Sequence, residues 1–240
     1  VGNTFVTATR QSQDKNGCFN THKPFSNVKN RYFCIKVQIM KTIYQNALQN
    51  SMSYAEYLNL IDEKIAQNSS TGHEQNEMLS DFTKLNRARM KRLDKTQQIL
   101  PELENLTRQI SEKQVWIVLT ESWCGDAAQN VPVLQKLAEI NPLIDLRLVL
   151  RDDNDELMQK YLTNGGKSIP KLIAVSADLD KELFTWGPRP ATAQVNNSLS
   201  KSADGGFNDM VKEGIQIWYN NDKGISMQNE LIDLLKNAAN

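Results

Sequence analysis

Histidine and cysteine are scarce in this 240-residue chain, two and three copies respectively, and that scarcity excludes a good deal. Neither His22 nor His73 lies beside a cysteine or carboxylate at metal-ligand spacing, so the sequence supports no zinc site and predicts no metal. Cys18, Cys34 and Cys124 are an odd number at irregular spacing, a pattern that predicts thiols in a reducing compartment and argues against a disulfide framework. No run approaches the ~18 consecutive apolar residues that a membrane helix needs. The apolar stretch of a secretory signal is also missing from the first residues. With 40% hydrophobic and 23% charged residues the composition is that of an ordinary globular protein, and we expect a cytoplasmic one with no membrane partner.

Net charge is absent too, at zero overall, but it is unevenly spread. Residues 1–39 carry six basic side chains against Asp14 alone, a net +5 balanced by −5 in the rest. Asn, Ser and Thr are scattered through this segment with no sustained apolar period, so it is read as a disordered tail or a non-native upstream segment. A basic arm for nucleic acid or acidic lipid is the other reading. The first is preferred because Met40-Lys41-Thr42-Ile43 looks like an ordinary bacterial N-terminus, in which case Cys124 is the one relevant thiol.

Residues 40–112 read as a helical N-terminal extension. Ser53-Tyr54-Ala55-Glu56 is a capping-box pattern, and Tyr54, Leu58, Ile61 and Ile65 follow at helical spacing until Asn68–Gly72 interrupts them. A second helix carries Met78, Phe82 and Leu85 on one face. Its basic residues Arg87, Arg89, Lys91 and Arg92 are interleaved with Asp81 and Asp94, which marks a solvated face and predicts no nucleic-acid partner. Pro101 opens another helix, with Leu103, Leu106 and Ile110 aligned.

From Val115 the period turns extended, opening a third region, 113–240. Strands are predicted at Val115–Thr120 and Asp145–Leu150 around a helix at Gly125–Ile140, a βαβ unit that requires parallel pairing. Val131, Leu134 and Leu137 should face the core. A short helix at Asp155–Leu162 should stop at Asn164-Gly165-Gly166. Lys171–Ser176 and Glu182–Trp186, separated by five residues, predict an antiparallel hairpin. Phe207, Met210, Val211 and Trp218 mark a further helix, and a last one lies around Glu230–Lys236.

One cysteine stands where chemistry is expected. Trp123-Cys124-Gly125-Asp126-Ala127 places a thiol where a strand feeds a helix, and the free N–H groups and dipole of a helix N-terminus stabilise a thiolate. Asp126 opposes them with a negative charge. The balance suggests a thiol pKa of about 6 to 8. Three residues on, where a dithiol motif has its second cysteine, stands Ala127.

The β-α-β-(α)-β-β-α order, Trp123-Cys124-Gly125, Pro132 within the following helix, Ile169-Pro170 just before a strand and Gly187 near the end of the last strand together resemble the thioredoxin family. The resemblance covers about residues 113–220. It implies an α/β thioredoxin fold, a mixed sheet flanked by helices, carrying the helical extension. It also implies a cis bond before Pro170, Cys124 as the catalytic residue, and a substrate groove formed by Trp123, Gly125, Asp126, Ile169 and Pro170. The wider pattern from Glu121 to Asp126, followed by Gly165 to Pro170, is similar to bacterial thioredoxin-like proteins with a helical extension. Two departures stand out. Ala127 cannot resolve a mixed disulfide. The buried acid that thioredoxins carry six residues before the first cysteine is here Val118.

Three functions follow. Cys124 exchanges as a monothiol with protein or low-molecular-weight disulfides, needing no cofactor beyond glutathione or another small thiol as co-substrate; or redox chemistry is lost and the Cys124/Pro170 groove binds protein or peptide partners; or, less in keeping with the lack of a polarising Thr or Arg motif, the thiol reacts with peroxide. Arg151 is read as a surface residue. Trp186, Trp218 and Tyr219 are read as packing rather than a cofactor platform. Gly165–Ser168 lacks the spacing of a phosphate loop, and Asp152, Asp153 and Asp155 are read as a solvated turn.

Overall fold

The computed structural model describes residues 28–194 and 209–238. Four strands form one sheet in the order β2-β1-β3-β4: β1 Gln114–Thr120, β2 Ile144–Leu150, β3 Lys171–Ser176 and β4 Glu182–Trp186. β1 runs parallel to β2, with Gln114 opposite Ile144, and antiparallel to β3; β3 and β4 pair as the antiparallel hairpin. The parallel pair follows from the crossover through α5, Gly125–Ile140, whose Val131, Leu134 and Leu137 are fully buried. Val115 to Thr120 is buried along its whole length, as a strand covered on both faces must be. Trp116 and Phe184 meet edge-to-face, with ring centroids 5.6 Å apart.

Helices α1 Val28–Gln49, α2 Tyr54–Ala66, α3 Glu77–Thr96 and α4 Pro101–Arg108 precede the sheet; α6 Asp155–Met158 follows β2, and α7 Asp209–Asp222 and α8 Ile225–Ala238 end the described chain. α2 begins with the capping box, in which Ser53 Oγ accepts from the Glu56 N–H and the Ser53 N–H donates to the Glu56 carboxylate at 2.7 Å. α1 does not respect the boundary at residue 39. It runs unbroken from Val28, and buries Ile43, Tyr44 and Ala47 only beyond Met40, while Tyr32, Ile35 and Ile39 are exposed. That is why no packing period is legible there. The second half of α1 is tied to the domain by Lys41–Asp180 at 2.7 Å and by the Tyr44 and Tyr161 hydroxyls, 2.5 Å apart. Cys34 is disulfide-bonded, which corrects the expectation of thiols throughout. Residues 1–27, Cys18 among them, and Phe207 lie outside the described residues.

α3 turns a largely polar face inward, with Phe82 half-buried. Met78 and Leu85 are exposed, and Ser80, Thr83, Asn86, Met90 and Leu93 turn inward. Polar satisfaction decides this for Thr83 and Asn86, while Ser80 Oγ is buried without a partner among the described residues. Thr83 Oγ1 and Ser122 Oγ bond at 2.9 Å, and Asn86 Nδ2 donates to the Ser122 carbonyl at 2.9 Å, so the polar turn after β1 receives partners that an apolar stripe cannot supply. Asn164 and Gly165 take positive φ, but α6 has already ended at Met158; they form instead a tight turn between Thr163 and Gly166, whose backbone N–H and C=O groups pair reciprocally.

Candidate functional site

β1 ends at Thr120, Glu121 to Trp123 turn, and Cys124 becomes the N-cap of α5. Its sulfur accepts from the Ala127 N–H at 3.4 Å, as an N-cap should, and its S–H donates to the Ile169 carbonyl at 3.3 Å. Only 7% of the residue is exposed. Burial and, next to it, the Asp126 carboxylate push the thiol up to about 12; the N–H groups of Ala127 and Asp126 and the Arg189 guanidinium pull it down without prevailing. The sequence-based range of 6 to 8 weighed the helix terminus against Asp126 and lacked burial, the largest effect. At pH 7 such a thiol is held in its protonated form.

Asp126, in the first turn of α5, is gripped from two sides. Arg189 Nη2 reaches Oδ2 at 2.5 Å, and the Tyr219 hydroxyl donates to Oδ1 at 2.7 Å. Asn130, one turn further along α5, donates to the Tyr219 oxygen at 3.0 Å and to the Asp126 carbonyl at 2.7 Å. Burial and the neighbouring carboxylate hold Tyr219 well above the ordinary tyrosine range, so it stays a hydroxyl donor. Gly125 lies beneath Gln216, whose Nε2 stands 2.9 Å from where a Cβ would be. Gln216 also accepts from Gln129 at 2.9 Å.

Across from the sulfur, Ile169 and Pro170 are buried and joined by a cis peptide bond. Gly187 lies against them with φ +111°, and a Cβ there would stand 2.3 Å from the Pro170 carbonyl oxygen. Glycine alone admits that approach. Lys171 Nζ holds the Gly187 carbonyl at 2.9 Å, and the chain then turns through Pro188 to deliver Arg189.

Cys124, Asp126 and Ile169 are therefore brought together, with Gly125 and Pro170 adjoining, whereas Trp123 looks the other way. Its indole N–H donates to the Thr71 carbonyl at 3.1 Å, and the Arg151 guanidinium lies 4.8 Å from its ring centre. Arg151 is thus a cation on an aromatic face, a correction to its reading as a surface residue. Tyr219, read as packing, is buried packing that also carries a hydroxyl into the site.

Glu121 was missed. It is fully buried, accepts from the Thr71 hydroxyl and from the Asp152 N–H at 3.0 Å, and burial raises its carboxyl above the usual range despite both bonds. An acid continuing an apolar strand is the signal in the sequence that marks it. Because the native pKa lies above the unfolded value of about 4.3, native Glu121 keeps its proton longer than the unfolded chain. Its contribution is therefore present below that pH and is lost as pH rises through the native pKa. Urea midpoints measured between about pH 4.5 and 7.5 should fall less steeply in Glu121→Gln than in the parent; equal slopes would show that Glu121 ionises as it does in the unfolded chain.

The acids at the end of β2 each have a basic partner: Arg151–Asp152 at 2.7 Å, His73–Asp153 at 3.2 Å and Lys167–Asp155 at 2.5 Å. Among the described residues no cluster of His, Cys, Asp and Glu is placed to hold a metal ion, and no helix is long and apolar enough to cross a membrane.

A family model described as thioredoxin matches residues 72–200. Among solved structures, a protein of unknown function from Pseudomonas aeruginosa aligns over 81% of this chain and 98% of its own, with a TM-score of 0.52 and 14% identity. An HIV epitope-scaffold aligns over 80% and 97%, with a TM-score of 0.50 and 12% identity. At such identities the likeness speaks to the fold alone. No curated protein matches.

Proposed function

This chain belongs to the thioredoxin family, and from that premise we propose that in its resting conformation it is a redox-silent member, a thioredoxin-fold binding module in which Cys124 is kept as a shielded, protonated thiol. The observation that carries this reading is the burial of Cys124 with its S–H donated to the Ile169 carbonyl. A thiol spent as a donor is not a nucleophile. Without a resolving cysteine at Ala127, nothing in the motif drives turnover. The partners of such a module are proteins or peptides meeting the Cys124/Pro170 region, in a bacterial cytoplasm as the sequence suggests.

Monothiol exchange is the second reading, favoured by one observation: Cys124 is free and caps α5, so the Ala127 N–H already points at the sulfur. Once uncovered and deprotonated, Cys124 attacks a mixed disulfide; its S–S bond breaks, a new one forms to Cys124, and the leaving thiolate takes up the proton. A second small thiol such as glutathione then displaces Cys124 and carries the adduct away as a disulfide.

Incubating the full chain with glutathione disulfide at pH 7.5 and weighing the Cys124 peptide separates the two. The expected outcome is no adduct on native protein over hours and ready modification in denaturant. A stoichiometric adduct on native protein within minutes would establish exchange.

A further inference from the structure

Two elements meet beside Cys124. α7 crosses the start of α5 with Gln216 and Tyr219, one helical turn apart, both directed at its first turns. The segment after β4 reaches the same place with Arg189. The two meet at the Asp126 carboxylate, one oxygen each.

The attachment of α7 elsewhere is slight. Among the described side chains of α7, Ile215 and Tyr219 are buried and Ile217 is exposed; Asn220 accepts from Arg92, and the Lys223 carbonyl just beyond its end accepts from Gln97. Among the described residues, Arg189 Nε is also buried with no acceptor. A helix tied to α5, among the described residues, by Gln216 to Gln129 and by Tyr219 to Asp126 and Asn130 has the makings of a lid.

We propose that Arg189 and Tyr219 are positioning residues that clamp α7 and the post-β4 segment over Cys124 through Asp126, so that the thiol is reached only when this clamp is released. The proposal rests on the shielded-thiol reading and adds to it the residues that do the shielding. The other titratable groups around the site come from separate elements: Arg89 on α3, half-buried near Gly125; Tyr57 on α2, buried and bonded to Thr120; Glu121 at the end of β1, bonded to Thr71 and Asp152; and Lys171 on β3, bonded to Thr163 and the Gly187 carbonyl. None of these joins α7 to α5.

Arg189 lends itself to a discriminating test because its two possible roles have opposite signs. As a bare cation it favours the thiolate, so its loss would slow the reaction of Cys124. As a clamp it blocks access, so its loss would speed it. The experiment follows iodoacetamide labelling of the Cys124 peptide from about pH 6 to 10 in the full chain and in Arg189→Gln, Arg189→Lys and Tyr219→Phe, with far-ultraviolet circular dichroism confirming the fold. Arg189→Gln and Tyr219→Phe should each label at least about tenfold faster at pH 8, and Arg189→Lys should restore much of the protection. Labelling in Arg189→Gln that is unchanged or slower, with Tyr219→Phe like the parent, overturns the clamp while leaving the shielded thiol standing. Rapid labelling of the unsubstituted chain overturns the shielded thiol itself. Should Arg189→Gln fail to fold, Tyr219→Phe, which changes no charge, decides the matter alone.

Discussion

Replacing Gly187 by alanine should cost about 3 kcal/mol or more of stability, among the largest effects of any one-carbon change in this chain. Two penalties combine. The backbone holds φ +111°, where an L side chain is strained, and the added Cβ would stand 2.3 Å from the Pro170 carbonyl oxygen, which belongs to backbone and cannot swing aside. Relief requires β4 to move away from the Ile169–Pro170 edge, and that motion loosens both the acceptor of the Cys124 thiol and the turn that delivers Arg189. Gly165→Ala is the matched control: φ is +76° there, but nothing lies within 4 Å of the added carbon, so only the conformational cost of about 1–2 kcal/mol remains. For a protein of this size the thermal midpoint should fall by about 6–12 °C in Gly187→Ala and by about 2–8 °C, a clearly smaller drop, in the control. Midpoints lowered equally in the two variants would show that the close approach to Pro170 is relieved cheaply.

Asp126→Asn should move stability and reactivity in opposite directions. In the parent protein the carboxylate neutralises Arg189 and accepts from Tyr219, with Arg189 and Asp126 side chains only 13% and 10% exposed. Removing one partner of a nearly buried ion pair leaves the other charge uncompensated, for which a loss of about 2–3 kcal/mol is expected, less than for alanine because asparagine still offers an oxygen to Tyr219. Removing the charge also removes the second-largest cause of the raised Cys124 thiol, after burial. Each unit by which the thiol falls multiplies the thiolate tenfold. Iodoacetamide labelling of Cys124 at pH 8 should therefore quicken by at least about tenfold in the variant. An unaltered labelling rate would mean that Asp126 has no hold on the thiol, and an unaltered urea midpoint that the pair with Arg189 contributes nothing.

The sheet and α5 were legible because their signals are local. Val115–Leu119 is apolar throughout, α5 carries Val131, Leu134 and Leu137 at helical spacing, and the strands Lys171–Ser176 and Glu182–Trp186 have the predicted bounds. Cys124 was legible for the same reason, since a strand, a turn and a helix start are contiguous in sequence. Its cover was not. Arg189 and Tyr219 lie 63 and 93 residues from Asp126, and neither carries a mark that distinguishes it from a surface arginine or a packed tyrosine. Without them the thiol reads as open, and weighing the helix terminus against Asp126 leaves out burial, the largest cause of its raised pKa. The polar inward face of α3 has a related origin: Thr83 and Asn86 turn inward for Ser122, a partner 36 or more residues away, and no periodicity of apolar residues encodes that demand.

The central claim, that Cys124 is a shielded and protonated thiol, is tested most directly by nuclear magnetic resonance of the full chain labelled with carbon-13 at cysteine Cβ, the Cys124 resonance being assigned with Cys124→Ser and followed against pH. The expected result is a Cys124 signal that stays at its thiol position to about pH 9.5 in the folded protein. A titration midpoint at or below about pH 8 would contradict the account and make Cys124 an available nucleophile.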